Sequence, residues 1–105
     1  DDSSAQLTYA SGSDLTQSTS YKYLSVTTSN GADSCVTGHL RLFNPSSTTF
    51  VKHFIGRTNT MSNSLRSAEA DTAGYFNTTT AITRVRFKFN SGNIDAGDIC
   101  LYGIL

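Results

Sequence analysis

The chain has 105 residues, no net formal charge and only 15% charged residues, enough for one modest core and too few for two. A neutral chain lacks the long-range field that nucleic-acid binders and anionic-membrane binders use for capture, and no apolar run approaches the roughly 20 residues that span a bilayer. Nucleic acid, membrane insertion and a second domain are therefore not expected, and the polar, acidic start carries no signal-peptide pattern.

Fifteen Ser, fifteen Thr and a single Pro describe a hydroxyl-rich surface. Thr suits a pleated, half-exposed sheet because its branched Cβ is comfortable there, and strong helix formers are few. The expected class is all-β.

Residues 1–20 are rich in Ser, Asp, Thr and Gln, with Leu7, Tyr9 and Leu15 as the apolar anchors. That composition cannot bury enough surface to order itself, so a flexible polar N-terminal arm is expected, with one short strand around Gln6 to Ala10, that either frays or lies on a neighbouring subunit. Residues 21–105 are expected to form one domain. Tyr21 to Thr28 is aromatic and β-branched and runs into Ser29-Asn30-Gly31-Ala32-Asp33, a strand followed by a turn. Cys35 to Phe43 reads as the next strand, broken by Asn44-Pro45-Ser46-Ser47, and Thr49 to Ile55 alternates again to complete a hairpin. Gly56 to Asn63 is polar and reads as a connection. Ser64 to Ala73, with its alanines and Glu69, is the one passage with a helical look.

The closing stretch organises the prediction. Val85, Phe87 and Phe89 alternate with Arg84, Arg86 and Lys88, the period of a strand with one dry and one wet face. Ile99 and Leu101 then alternate with Cys100, Tyr102 and Ile104, apolar on both faces, as for a strand inside a sheet. Between them, Asn90-Ser91-Gly92-Asn93 and Asp95-Ala96-Gly97-Asp98 supply turn chemistry, so a closing hairpin is expected. Turn signals about every ten residues, without a repeat, point to an antiparallel β-sandwich of jelly-roll type.

The segments Ala81-Ile82-Thr83-Arg84-Val85-Arg86-Phe87, Ser91-Gly92-Asn93-Ile94-Asp95-Ala96-Gly97 and Leu101-Tyr102-Gly103-Ile104 resemble the closing segment of many small β-sandwich modules in bacteriophage virion proteins. The resemblance spans residues 74–105. It implies a tail, fibre or particle-surface setting in a virion, and it carries no catalytic residues. Its matched positions are turn glycines and core residues, so it speaks to strand pairing more than to a ligand.

Candidate sites are sparse. The row Arg84, Arg86 and Lys88 could grip phosphate, sulfate or an acidic sugar, but a solvated strand face that discourages edge pairing is the favoured reading. Tyr21 and Tyr23 share a strand face and are the tyrosines best placed to stack on a sugar, although the absence of Trp argues against a carbohydrate platform. The only histidines, His39 and His53, sit in no zinc motif, and no Ser is framed as G-x-S-x-G, so no enzyme is expected. Asp95 and Asp98 lack the alternating oxygen ligands of a calcium loop, and no metal or other cofactor is implied. Asn77-Thr78-Thr79 matches a glycosylation acceptor that would be silent in a phage or bacterium. Cys35 and Cys100 have no metal spacing; two buried thiols are the simpler reading, and a disulfide is the alternative.

The sequence thus predicts a non-enzymatic virion structural module, in a tail fibre or on the capsid surface, assembling with copies of itself, a homotrimer being favoured, and with other virion proteins. The alternatives are a host-glycan or receptor-binding module, and a capsid decoration protein held by its N-terminal arm.

Overall fold

Three strands joined by two hairpins carry all the regular pairing in the computed structural model, which describes residues 5–64 and 66–104. They are β1 (Val36–Leu42), β2 (Lys52–Met61) and β3 (Ser67–Phe76). The sheet order is β1-β2-β3 and both pairings are antiparallel. With a single turn of 3-10 helix at Ser11–Ser13 as the only helical element described, the chain is all-β.

The first hairpin follows from its turn residues. Asn44 adopts positive φ, which Asn tolerates better than most residues, and the Ser47 N–H donates to its carbonyl. The Ser47 hydroxyl then accepts from the N–H groups of Thr49 and Phe50, and Phe43 N–H donates to the His53 carbonyl to close the ladder. The second hairpin closes where Ser62 N–H donates to Arg66 C=O.

β2 alternates cleanly between its faces. Lys52, Phe54, Gly56 and Thr60 are buried, while His53, Ile55, Arg57, Asn59 and Met61 are exposed. Apart from Phe54 the inward set is polar or small, so its burial depends on hydrogen bonds. Thr58 Oγ1 donates to the Leu24 carbonyl at 2.6 Å, and Thr60 Oγ1 lies 3.2 Å from Thr28 Oγ1 and 3.3 Å from the Cys35 carbonyl. Lys52 is wholly buried and donates to the Thr78 carbonyl at 3.2 Å. Segments 22–28 and 78–82 thereby lie against β2, the second also held by Ile82 N–H donating to Pro45 C=O.

Several expectations are corrected here. The strand expected at Tyr21 to Thr28 forms no ladder; it is fastened by side-chain bonds and by Ser29 N–H donating to Met61 C=O. Gly56 to Met61 of the expected polar connection is instead the second half of β2, and Ser67 to Ala73 of the helical-looking stretch belongs to β3. Ala68 and Ala70 sit on the inner face, with residues 22–26 beside Ala70, while Ala73 faces outward opposite Ile55. No strand forms around Gln6 to Ala10, and residues 1–4 of the expected arm lie outside the described residues. Cys35 and Cys100 are both free and both exposed, against the expectation of buried thiols and against its disulfide alternative.

The largest correction concerns the closing hairpin. Among the described residues neither Arg84 to Phe89 nor Ile99 to Ile104 joins a strand ladder, and no backbone-to-backbone hydrogen bond follows that of Ile82. The sheet therefore stops at three strands in one layer. The second layer that a jelly-roll sandwich needs is not formed among the described residues.

Only Phe54 is a buried apolar residue among those described. The accessible surface of the chain is 9153 Å², against about 5,700 Å² for a typical folded monomer of this mass. The radius of gyration is 15.4 Å, above the roughly 13 Å of a compact domain of this length. One sheet face and a long unpaired segment account for both departures.

Candidate binding surfaces

Chain crossings bring together residues that the sequence keeps about sixty positions apart. The ring of Tyr21 lies under the ammonium of Lys88, with Nζ 4.4 Å from the ring centroid, and the Tyr21 hydroxyl accepts from Arg86 Nη1 at 3.3 Å. Arg86 and Lys88 reach the same ring because residues two apart on an extended chain point the same way. The contact combines a cation–π interaction with a charge-assisted hydrogen bond. All three residues are exposed, as is Arg84. Of the five candidate ligand residues, the fold therefore joins Tyr21, Arg86 and Lys88.

Tyr23 points elsewhere. It lines a depression of about 130 Å³ together with Tyr9, Asp14, Lys22, Ser25 and Asp71. Lys22 donates to the Ser13 carbonyl at 2.7 Å, and the Tyr9 hydroxyl donates to the Asp14 carboxylate, which raises the phenol above its ordinary pKa because its ionised form would face a carboxylate. The buried Ser25 hydroxyl there has no hydrogen-bond partner among the described residues. The depression is well below the several hundred cubic ångströms of ordinary ligand pockets.

The outer face of the sheet carries the third cluster. Cross-strand pairing lines up His39, Arg57 and Asp71 in one row. Arg57 Nε meets Asp71 Oδ1 at 2.7 Å and Glu69 Oε1 at 3.4 Å. The bond to Asp71, then the charges of Asp71 and Glu69, hold the guanidinium pKa above its ordinary value. A cleft of about 230 Å³ runs along this row and includes Arg41 and Ile55. It gathers His39 with a carboxylate, but Arg57 stands between them and takes the carboxylate for itself, leaving no base and orienting acid in contact. His53 lies on the same face against Tyr75, 5.8 Å between centroids.

Sequence reasoning passed over Arg57, Glu69 and Asp71 because it placed them in a loop and a helix. Once both segments are strands, the register alone makes Arg57 and Asp71 opposite partners. Among the described residues no three His, Cys, Asp or Glu side chains gather as metal ligands, and no helix is long and apolar enough to cross a membrane. Comparison with known protein families, curated proteins and solved structures found no match.

Proposed function

We propose that this chain is a non-enzymatic structural module of a bacteriophage virion, in a tail fibre or on the particle surface, that completes its core by associating with copies of itself. The observation that supports the reading is the surplus of exposed surface. It exceeds that of a typical monomer by roughly 3,500 Å², on the scale of an obligate subunit interface rather than a transient one. The exposed residues include Phe50, Phe76, Ile99, Leu101 and Ile104, which a free subunit would leave in water at a cost of about 25 cal/mol per Å². A closed homotrimer shares such surface among three identical chains and suits a fibre. The virion setting is carried by the resemblance of residues 74–105 to virion β-sandwich modules. Multi-angle light scattering from micromolar to millimolar concentration tests the assembly: a constant mass of one chain would end this reading.

A second reading is favoured by the meeting of Tyr21, Arg86 and Lys88. An aromatic face beside two cations suits an acidic sugar of a host surface, with the guanidinium and ammonium facing a carboxylate or sulfate and the tyrosine facing the ring. Titration with sialylated and sulfated oligosaccharides tests it, with neutral sugars as the control. Equal or absent response to all three would remove it.

A further inference from the structure

The unpaired segment and the unpaired edge of the sheet have matching chemistry. Residues 94–104 make no backbone hydrogen bond among the described residues, although every peptide unit carries a donor and an acceptor. Their apolar side chains stand in water: Leu101 is 95% exposed, Ile104 87%, Tyr102 81% and Ile99 67%. Apolar residues at both parities describe a strand covered on both faces, which this segment nowhere obtains within its own chain.

The acceptor is β1. As an edge strand its outer row of N–H and C=O groups has no ladder partner, and five of its seven residues are exposed. Gly38 carries no side chain at the middle of the strand, where Thr58 of β2 packs against its backbone. The outer face presents His39 and Arg41, which favours an acidic neighbour. β3, the other edge, is a poorer acceptor: residues 8–14 and 22–26 approach it at Ala70 and Asp71, and its outer face is acidic through Glu69 and Asp71.

We infer that residues 94–104 of one copy add as an antiparallel strand to the outer edge of β1 in a second copy. This rests on the self-assembling reading above. The register sets Asp98 opposite Arg41, Cys100 opposite His39 and Tyr102 opposite Thr37 on the outer face. Ile99 then lies opposite Leu40 and Leu101 opposite Gly38, on the face that carries Phe54. Main-chain bonds give the addition its strength and the alternating side chains give its register, as in other strand additions. The copies thus exchange the edge pairing that neither satisfies alone.

The test uses the native Cys100. In the full chain carrying Cys35→Ser and His39→Cys, mild oxidation is expected to link Cys100 of one copy to position 39 of another, shown by peptide mass mapping. The link is expected to form at least about tenfold faster than in a control with His53→Cys, whose geometry does not permit it. Asp98→Arg and Arg41→Asp are each expected to weaken assembly about tenfold, and the double variant to recover it. A disulfide within a single chain would overturn the inference. So would an intact oligomer with neither the Cys100 link nor charge-swap recovery, in which case self-assembly stands and uses another surface. A wild-type chain that is monomeric throughout ends both readings together.

Discussion

Phe54 packs directly on Gly74, its cross-strand partner on β3, so closely that a Cβ at position 74 would come within 2.8 Å of the ring. The ring also meets Phe76, 5.3 Å between centroids. Because Phe54 is the one buried apolar side chain described, this pair is the centre of what core the single chain has.

Gly74→Ala is expected to destabilise the sheet by about 1–3 kcal/mol through overpacking, and Phe54→Ala by about 3 kcal/mol through a cavity. Gly38→Ala should cost more than Gly74→Ala. The added methyl would collide with the Arg57 carbonyl and the Thr58 backbone, which cannot swing aside as a ring can. Urea titration of the three variants checks the order, and a Gly38→Ala protein as stable as wild type would contradict it.

The buried Lys52 spans to the Thr78 carbonyl and holds segment 78–82 against β2. Lys52→Ala removes both the packed stem and the donor, and is expected to cost about 2 kcal/mol. Lys52→Met keeps the stem and should lose less. Equal losses would show that only the hydrogen bond matters.

Tyr21→Phe keeps the ring under Lys88 but deletes the acceptor for Arg86; Lys88→Ala removes the cation. Each is expected to change stability by under about 1 kcal/mol, since these groups are exposed and water competes for them. The double variant should show a coupling of a few tenths of a kcal/mol. Calorimetry of the four proteins, repeated in high salt, would expose a larger structural role if the coupling exceeded this and resisted salt.

The Tyr9 phenol should titrate above its ordinary pKa of 10.0 because Asp14 opposes its ionisation. Its contact with Asp14 therefore contributes fully below pH 10.0 and fades as pH rises through the elevated value. Asp14→Asn is expected to bring the midpoint back toward 10.0, as followed by ultraviolet difference absorption. A midpoint unmoved by that substitution would sever the link.

Hydrogen exchange separates the strands from the unpaired segment. Amides of β2, bonded on both sides, should be the slowest in the chain, while those of residues 94–104 should exchange rapidly in dilute protein. Protection of that segment should appear as concentration rises and assembly proceeds. Protection already complete in a monomer would mean that the segment is paired within its own chain.

Part of this architecture was legible in the residues. The first hairpin could be read because Leu40 and Leu42, the Asn44-Pro45-Ser46-Ser47 turn and the alternation through Ile55 all agree. The second could not. Gly56, Thr58 and Thr60 face inward, so the buried face of β2 carries no hydrophobic signal beyond Phe54, and the alanines of β3 imitate a helix. Tertiary context overrides such propensities when a neighbouring strand supplies the hydrogen bonds. Tyr21, Arg86 and Lys88 were each visible as candidates, but their meeting was not, because it depends on where segment 78–82 crosses the sheet.

Composition and local pattern by themselves determined that this is a β protein with a hydroxyl-rich, uncharged balance, since those properties are sums over residues. Whether a given pattern finds a partner depends on distance in space, and only the tertiary structure decided that. The alternation from Arg84 to Ile104 specifies strands that want neighbours. Beyond the bond from Ile82 to Pro45, the described residues reach no free edge of their own sheet, and no backbone pairing among them follows.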